Sequence, residues 1–226
     1  MKAHPPYNAV LLDLDGTLTD SEPGIVRSIA YALEQLGAPV PPPTVLHDWI
    51  GPPLHDTFTS YLGTTTLADR ALAAYRERYV PIGMYENDVY PGIPALLTDL
   101  HEAGVRLYLA TSKPQPYARL ILEHFDLLRF FTYAGGATLD GRISTKAAVI
   151  GDVLDQMSSA DHAACVMVGD RSHDIEGART HGLRCIAVRY GYASVAELQA
   201  SQPDAMAASV AELRALLLPE RTAPDA

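Results

Sequence analysis

Cysteine is nearly absent from this chain: 226 residues contain two, Cys165 and Cys185, and no CxxC pair. Both lie inside apolar runs (Cys165-Val-Met-Val168 and Cys185-Ile-Ala-Val188), which predicts buried, reduced thiols and not a disulfide or a metal pair. Basic charge is also short. Lys and Arg number 17 against 27 Asp and Glu, a formal net charge of -10. Lys and Arg are needed to displace counterions from phosphates, so the balance argues against nonspecific nucleic-acid binding. No apolar run is long enough to cross a bilayer. The first residues, Met1 to Asn8, carry a lysine but no long apolar stretch after it, so no secretory signal is expected and the cytoplasm is the default location. The acidic balance points to no protein partner.

What is present suits a folded enzyme. Hydrophobic residues make up 48% and charged residues 19%, enough to fill a core. The length fits one large domain, or a compact domain carrying a smaller insertion. With an acidic chain, any site for an anionic substrate must be made locally positive by a metal, a lysine or helix N-termini.

Short apolar runs recur, each ending in polar residues. Ala9 to Leu12 ends at Asp13, Val105 to Ala110 at Thr111, Cys165 to Val168 at Gly169 and Asp170, and Cys185 to Val188 at Arg189. Helical segments separate them, which predicts an α/β fold with a doubly wound parallel sheet. Ligands bind outside the carboxyl ends of such strands, and the reactive residue types gather there. Helices are expected over about 23–36 (stopped by Gly37), 93–103 (stopped by Gly104), 145–157 (capped by Ser144 or Thr145) and 173–181 (stopped by Gly182). Ser-Val-Ala-Glu-Leu occurs at 194–198 and again at 209–213, read as two helix-capping boxes.

Residues 20–89 break the alternation. They hold helical stretches near 23–36, 53–62 and 66–80, interrupted by Pro39, Pro41 to Pro43 and Gly51-Pro-Pro53, with no buried-strand signal. This predicts an all-helical insertion, leaving 1–19 and 90–226 as one discontinuous core domain. The hinge falls near 18–22 and 86–91. The polar tail after Pro219 is expected to be mobile.

Asp13-Leu-Asp15-Gly16-Thr17 is the central motif. Carboxylates at i and i+2 of a strand end point to one side, and such like charges resist joint ionisation unless a cation lies between them. One can be a metal-bound nucleophile while the other handles a proton. The plain alternative is an acidic turn, since Asp-Gly is a common turn pair. Gly169-Asp170-Arg-Ser-His-Asp174 forms a second acidic cluster; Asp170 is placed to ligate a hard cation and Asp174 to support it. Equally, Asp170 is a turn residue and Asp174 a favourable first-turn acid. Thr111 and Ser112 offer hydroxyl and backbone donors to a phosphate oxygen, or serve as N-caps. Lys146 opposes the dipole of the helix it begins, which calls for an anionic partner or for solvent. Lys113 competes with it for the same role.

In order and position these motifs resemble the haloacid dehalogenase superfamily, over roughly residues 8 to 190. Asp13-x-Asp15, Thr111, Lys146 and Gly169-Asp170-x-x-x-Asp174 match its four motifs. Asp13 to Ser21, Tyr90-Pro-Gly92 and the 169–174 block bring the sequence nearest the phosphoglycolate phosphatase-like branch. The resemblance implies a Rossmann-like core with a helical cap, and a magnesium-dependent phosphatase for a small-molecule phosphate ester. Asp13 would attack phosphorus to form an aspartyl-phosphate. Asp15 would be the acid and base. Magnesium would engage Asp13, the backbone carbonyl of Asp15 and Asp170, with Asp174 in support. Thr111, Ser112 and Lys146 would hold the phosphoryl oxygens.

Other activities of that superfamily fit less well. The acid at position 15 argues against a dehalogenase, which has no leaving alkoxide to protonate. A phosphonate hydrolase would need a cap lysine, and residues 20–89 have none. A sugar phosphomutase would use the same nucleophile. A non-catalytic phosphoacceptor such as a receiver domain is shorter and lacks the insertion. Specificity is expected in the insertion: Gly51 and Pro52 as a loop over the substrate with His55 beside it, and Arg76 with Lys113 as contacts to an anionic group. Arg78 and Tyr79 are weighed with Arg76, against ordinary helix surface. Tyr190 and Tyr192 are expected near the site, and Trp49 is expected to pack within the insertion.

Overall fold

The computed structural model describes residues 6–218. The tail after Pro219 lies outside that range. In chain order the elements are β1 (Ala9–Leu12), β2 (Thr19–Asp20), α1 (Glu22–Gln35), α2 (Pro43–His47), α3 (Leu54–Leu62), α4 (Thr65–Tyr79), β3 (Asp88–Val89), α5 (Ile93–Glu102), β4 (Arg106–Pro114), α6 (Gln115–His124), β5 (Phe131–Ala137), α7 (Lys146–Asp155), α8 (Ser159–His162), β6 (Cys165–Gly169), α9 (Ser172–Thr180), β7 (Arg184–Val188), α10 (Val195–Ser201), β8 (Ala205–Ala207) and α11 (Val210–Leu217).

Six strands form a parallel sheet in the order β5-β4-β1-β6-β7-β8. The chain steps outward from β1 to β4 and β5, then crosses back to β6 beside β1. The direction of winding therefore reverses between β1 and β6, and such a reversal opens a crevice at the strand ends. Every residue of β1 is buried, yet alternate residues enter different cores. Val10 and Leu12 join Ile93, Leu97, Ile121 and Leu213 on one face. Ala9 and Leu11 join Val149, Ile150, Val153, Ile175 and Leu198 on the other. Period-two side-chain alternation thus covers the sheet with helices on both sides, the expected doubly wound arrangement.

Cys165 and Cys185 are buried and unpaired. Burial pushes both thiols up, Cys165 to about 11. Ser194 and Ser209 accept from the backbone N–H groups of Glu197 and Glu212, as expected of caps. The glutamates do not reach back to their own caps: Glu197 accepts from Ser172 and Arg171, and Glu212 from Ala208.

Between Thr19 and Val89 the chain leaves the sheet, forms α1 to α4 and returns. Ile29, Leu33, Phe58, Ala71 and Tyr79 from these helices extend the core of the first sheet face. This stretch is not purely helical, because β2 and β3 pair antiparallel where it begins and ends. Two-residue strands are too short to leave an apolar pattern. The proline run also conceals α2, which opens with Pro42 as N-cap and Pro43 in its first position, where a missing N–H costs nothing. Two sheet strands carry weak signals as well. β5 contains Gly135-Gly136, and an added Cβ on Gly135 would lie 2.4 Å from Val153 Cγ2, so close helix packing selects glycine there over strand-forming residues. β8 is only Ala-Met-Ala.

Candidate active site

Asp13 is the first residue beyond β1, its backbone N–H donating to Val168 O (3.0 Å) on β6. The following turn is tight: Thr17, Leu18 and Thr19 all donate to Leu14 O. Gly16 makes it possible. Its φ is +78°, and an added Cβ would lie 2.2 Å from Asp170 Oδ2, so both backbone conformation and close approach require glycine. Across the crevice Asp170 follows β6, and Asp174 lies in the first turn of α9. Asp174 Oδ2 accepts from the N–H groups of Asp170 (3.1 Å) and Arg171 (3.0 Å), satisfying orphan donors of the helix start.

Asp13, Asp170 and Asp174 each offer an oxygen, and these atoms lie within 4.8 Å of one another. Asp170 is completely buried. Its Oδ2 accepts from Tyr192 N–H at 2.7 Å, while its Oδ1 has no hydrogen-bond partner. Burial, with the charges of Asp174 and Asp13, pushes the Asp170 pKa well up; burial also raises that of Asp174. A buried carboxylate with an orphaned oxygen, close to two more carboxylates and all of them hard oxygen donors, fits a divalent hard cation. The residues therefore fit magnesium.

The positive side of the site is Lys146, the first residue of α7, whose N-cap Thr145 accepts from Ala148 N–H. Lys146 Nζ lies 2.8 Å from Asp13 Oδ1 and 2.8 Å from Asp174 Oδ1, and donates to Ala110 O at 3.0 Å. Burial opposes its charge, but Asp13 and Asp174 outweigh burial and raise its pKa. Lys146 is thus neither solvated nor on the surface.

Thr111 and Ser112 also line the cavity, but not as N-caps. Strand β4 runs on to Pro114, and α6 starts only at Gln115. Thr111 Oγ1 instead accepts from Lys113 N–H (3.2 Å), beside an irregularity in the pairing with β5. The hydroxyls therefore stand at a strand end and not at a helix start. Lys113 does not compete for the place of Lys146: its Nζ is 3.0 Å from Asp15 Oδ2 and hydrogen-bonds the Tyr79 hydroxyl. The other Asp15 oxygen accepts from Ser21 Oγ at 2.5 Å.

One cavity of about 580 Å³ contains these groups, and the helices beyond β2 roof it. Gly51, Pro52, His55 and Arg76 line it, as expected for substrate contacts. Arg78 does not. It is tied to Glu86 (2.8 Å) and Ser28 (3.1 Å) away from the cavity, because helical periodicity turns it from the face that Arg76 and Tyr79 share. Trp49 packs edge-on against Phe58 and Tyr61, yet also lines the cavity. Tyr190 donates to Thr17 O.

Three contributors make contacts that the sequence did not show. Tyr79 reads as ordinary helix surface but is buried at the end of α4. Tyr192 accepts from Ser21 and Glu22 N–H groups and donates to Asp20, joining the Asp170 carboxylate to the start of α1. Arg171 donates to Ile50 O just before Gly51. Arg189-Tyr-Gly-Tyr192 did place Tyr192 near the site, and it lines the cavity, whereas Tyr79 was raised only beside Arg76 on its helix.

The model of the haloacid dehalogenase-like hydrolase family matches residues 10–188. The chain belongs to that family. A 5'-nucleotidase of Pseudomonas aeruginosa is 45% identical over 213 residues, 93% of this chain and 96% of the relative. The tyrosine-protein kinase PtkA of Mycobacterium tuberculosis is 45% identical over 183 residues, 81% of this chain and 62% of that protein. A plasmid-borne phosphoglycolate phosphatase of Cupriavidus necator is 33% identical over 98% of this chain and 97% of its own length. Among solved structures, a predicted phosphatase from Clostridium acetobutylicum superposes with a TM-score of 0.87 at 40% identity, covering 92% of this chain and 96% of that one. The chain is a haloacid dehalogenase-like phosphatase, and the four motif positions of this family meet in one cavity. No helix among the described residues is long and apolar enough to cross a membrane.

Proposed function

We propose that this phosphatase is magnesium-dependent and hydrolyses a small-molecule phosphate monoester through an aspartyl-phosphate on Asp13. The observation that carries the reading is the meeting of Asp13 and Lys146, 2.8 Å apart, beside Asp170 and Asp174 at the reversal point of the sheet. Asp13 attacks phosphorus and the ester oxygen leaves, taking a proton from Asp15. Asp15 then removes a proton from the water that attacks the phosphoenzyme, and inorganic phosphate departs with the Asp13 carboxylate restored. Lys146, Thr111 and Ser112 hold the non-bridging oxygens, where the transferring group carries its charge. Asp13, Asp170 and Asp174 would hold the magnesium, which when bound supplies positive charge against the phosphoryl oxygens and the clustered carboxylates.

We divide the chain into a core of residues 1–19 and 90–226 and a helical cap of residues 20–89. Closure at the paired crossings near 18–22 and 86–91 would exclude water from the site. A 5'-nucleotide and phosphoglycolate lead as substrates, on the strength of similar relatives with those names. Two free, buried thiols are compatible with a reducing cytoplasm.

The test is phosphate release from a panel including 5'-nucleotides, phosphoglycolate, sugar phosphates and phosphotyrosine, with magnesium or excess chelator, for the native protein and Asp13→Asn. Multiple turnover that needs magnesium and disappears in Asp13→Asn is expected. Full activity of the variant would overturn the nucleophile assignment. Interconversion of sugar phosphates without phosphate release would replace the phosphatase reading with a mutase.

A further inference from the structure

The two buried lysines of the site divide its aspartates between them. Lys146 lies against Asp13 and Asp174, whereas Lys113 lies against Asp15. The Lys113 side chain is only 5% exposed, and its ammonium has a second contact that Lys146 lacks. It donates to the Tyr79 hydroxyl, and Nζ stands 4.8 Å from the centroid of that ring. Tyr79 is in turn fixed. It is 2% exposed, stacked on Tyr75 with ring centroids 5.0 Å apart, and edge-on to Tyr117 of α6 at 6.3 Å.

Asp15 is therefore gripped on both oxygens. Ser21, at the start of the excursion from the sheet, holds Oδ1; Lys113 holds Oδ2 from a position set by the last residue of α4. A general acid must keep its oxygen within hydrogen-bond reach of the leaving atom. A misplacement of about 1 Å by a remote change can cost about 100-fold. Asp13 shares none of these contacts.

Resting on the phosphatase reading above, we propose that Lys113 is a positioning residue for Asp15, and that Tyr79 fixes Lys113. The seating of α4 against the sheet thereby sets protonation of the leaving group and leaves the attack of Asp13 on phosphorus unaffected. The dependence belongs to one bond: the P–O bond to the leaving group breaks as the proton passes from Asp15 to that oxygen. An alkoxide cannot leave at neutral pH without the proton. A nitrophenolate can.

The test compares kcat/KM across a series of phosphate esters, from p-nitrophenyl phosphate through phenyl to alkyl phosphates, for the native enzyme, Tyr79→Phe and Lys113→Met. This ratio reports events up to phosphoryl transfer, so the later use of Asp15 as base does not enter. Tyr79→Phe is expected to lower kcat/KM for alkyl esters about tenfold and Lys113→Met about 100-fold, the first a partial loss and the second the lower end of the roughly 100- to 10,000-fold that general acids contribute. For p-nitrophenyl phosphate the fall should be under about threefold, giving a steeper dependence on leaving-group acidity. Tyr79→Phe removes one hydroxyl from a packed ring, so it supplies the answer if Lys113→Met does not fold. An equal fall on every ester, or no change in that dependence, would overturn the assignment while the phosphatase reading stands. A native protein inactive on the whole series would overturn both.

Discussion

Asp170→Asn should stabilise the metal-free protein while abolishing its response to magnesium. Asp170 is fully buried, with one oxygen bonded to Tyr192 N–H and the other unpartnered, and its carboxylate comes within 4.8 Å of oxygens of Asp13 and Asp174. Two unit charges at that distance repel by about 3.5 kcal/mol at an effective dielectric constant of about 20. Lys146 offsets part of the cluster's charge, and partial protonation of Asp170 removes more, so the net cost in chelator is about 2–3 kcal/mol. An asparagine can keep the Tyr192 bond with its carbonyl and turn its amide toward the two remaining carboxylates. For a chain of this length the gain corresponds to a rise in Tm of roughly 4–12 °C. The pH dependence has a definite sign. The folded pKa of Asp170 is raised above its ordinary 3.8, so the folded protein holds that proton more tightly than the unfolded chain. Stability is greatest below about pH 3.8 and is lost as pH rises through the folded value, so the advantage of asparagine widens over that range. Thermal denaturation in excess chelator and in magnesium at several pH values measures all of this. Magnesium at about 100 times its Kd should stabilise the native protein by about 2.7 kcal/mol and leave the variant unmoved. A variant less stable than native in chelator would refute the reasoning.

Lys146→Met should act in the opposite sense. Removing the cation leaves Asp13 and Asp174 buried without compensation, and chemical denaturation should show a loss of about 3–5 kcal/mol. Gly16→Ala should lose both magnesium response and turnover, since its methyl would occupy the place of Asp170 Oδ2; a magnesium titration followed by Tm checks it. Glu86→Gln should destabilise by about 1.5–3 kcal/mol at pH 7, where the ion pair with Arg78 is intact. Hydrogen bonds from Arg78, then Arg27, hold the Glu86 pKa below its ordinary 4.5. The contribution is therefore present above about pH 4.5 and disappears as pH falls through the folded value, where native and variant melting curves should converge.

Strand ends were the legible part of the site. The runs closing at Asp13, Thr111 and Asp170 are buried because parallel strands are covered on both faces, and that leaves an unmistakable apolar signature. Lys146 was visible as a cation at the wrong end of a helix, an anomaly that its two carboxylates explain. Roles that depend on tertiary approach were not legible, even for Tyr192, whose place near the site was. Tyr79 acts only because α4 delivers its hydroxyl to Lys113, and Tyr192 only because the turn after β7 passes over Asp170. β5 was hidden by Gly135, which fits beside Val153, and Gly136, which fits against the backbone of Lys113 and Gln115, and α2 by prolines that break helices everywhere except at their start. The alternative N-cap role of Thr111 failed because β4 runs on to Pro114, four residues beyond the apolar run that ends at Ala110.

The pairing of Thr19 with Val89 and of Asp20 with Asp88 has an architectural consequence. The chain departs and returns through neighbouring strands, about 4.8 Å apart in the hydrogen-bonding direction. From the sheet, the whole helical excursion is a hairpin loop, and closing such a hairpin requires nothing of what lies beyond it. Lengthening, shortening or exchanging the excursion therefore leaves the register of β1 with β4 and β6 unaltered. Under the division proposed above, the phosphoryl-transfer floor and its roof are joined only through these two neighbouring strands, and a different roof would need only the same two points of attachment.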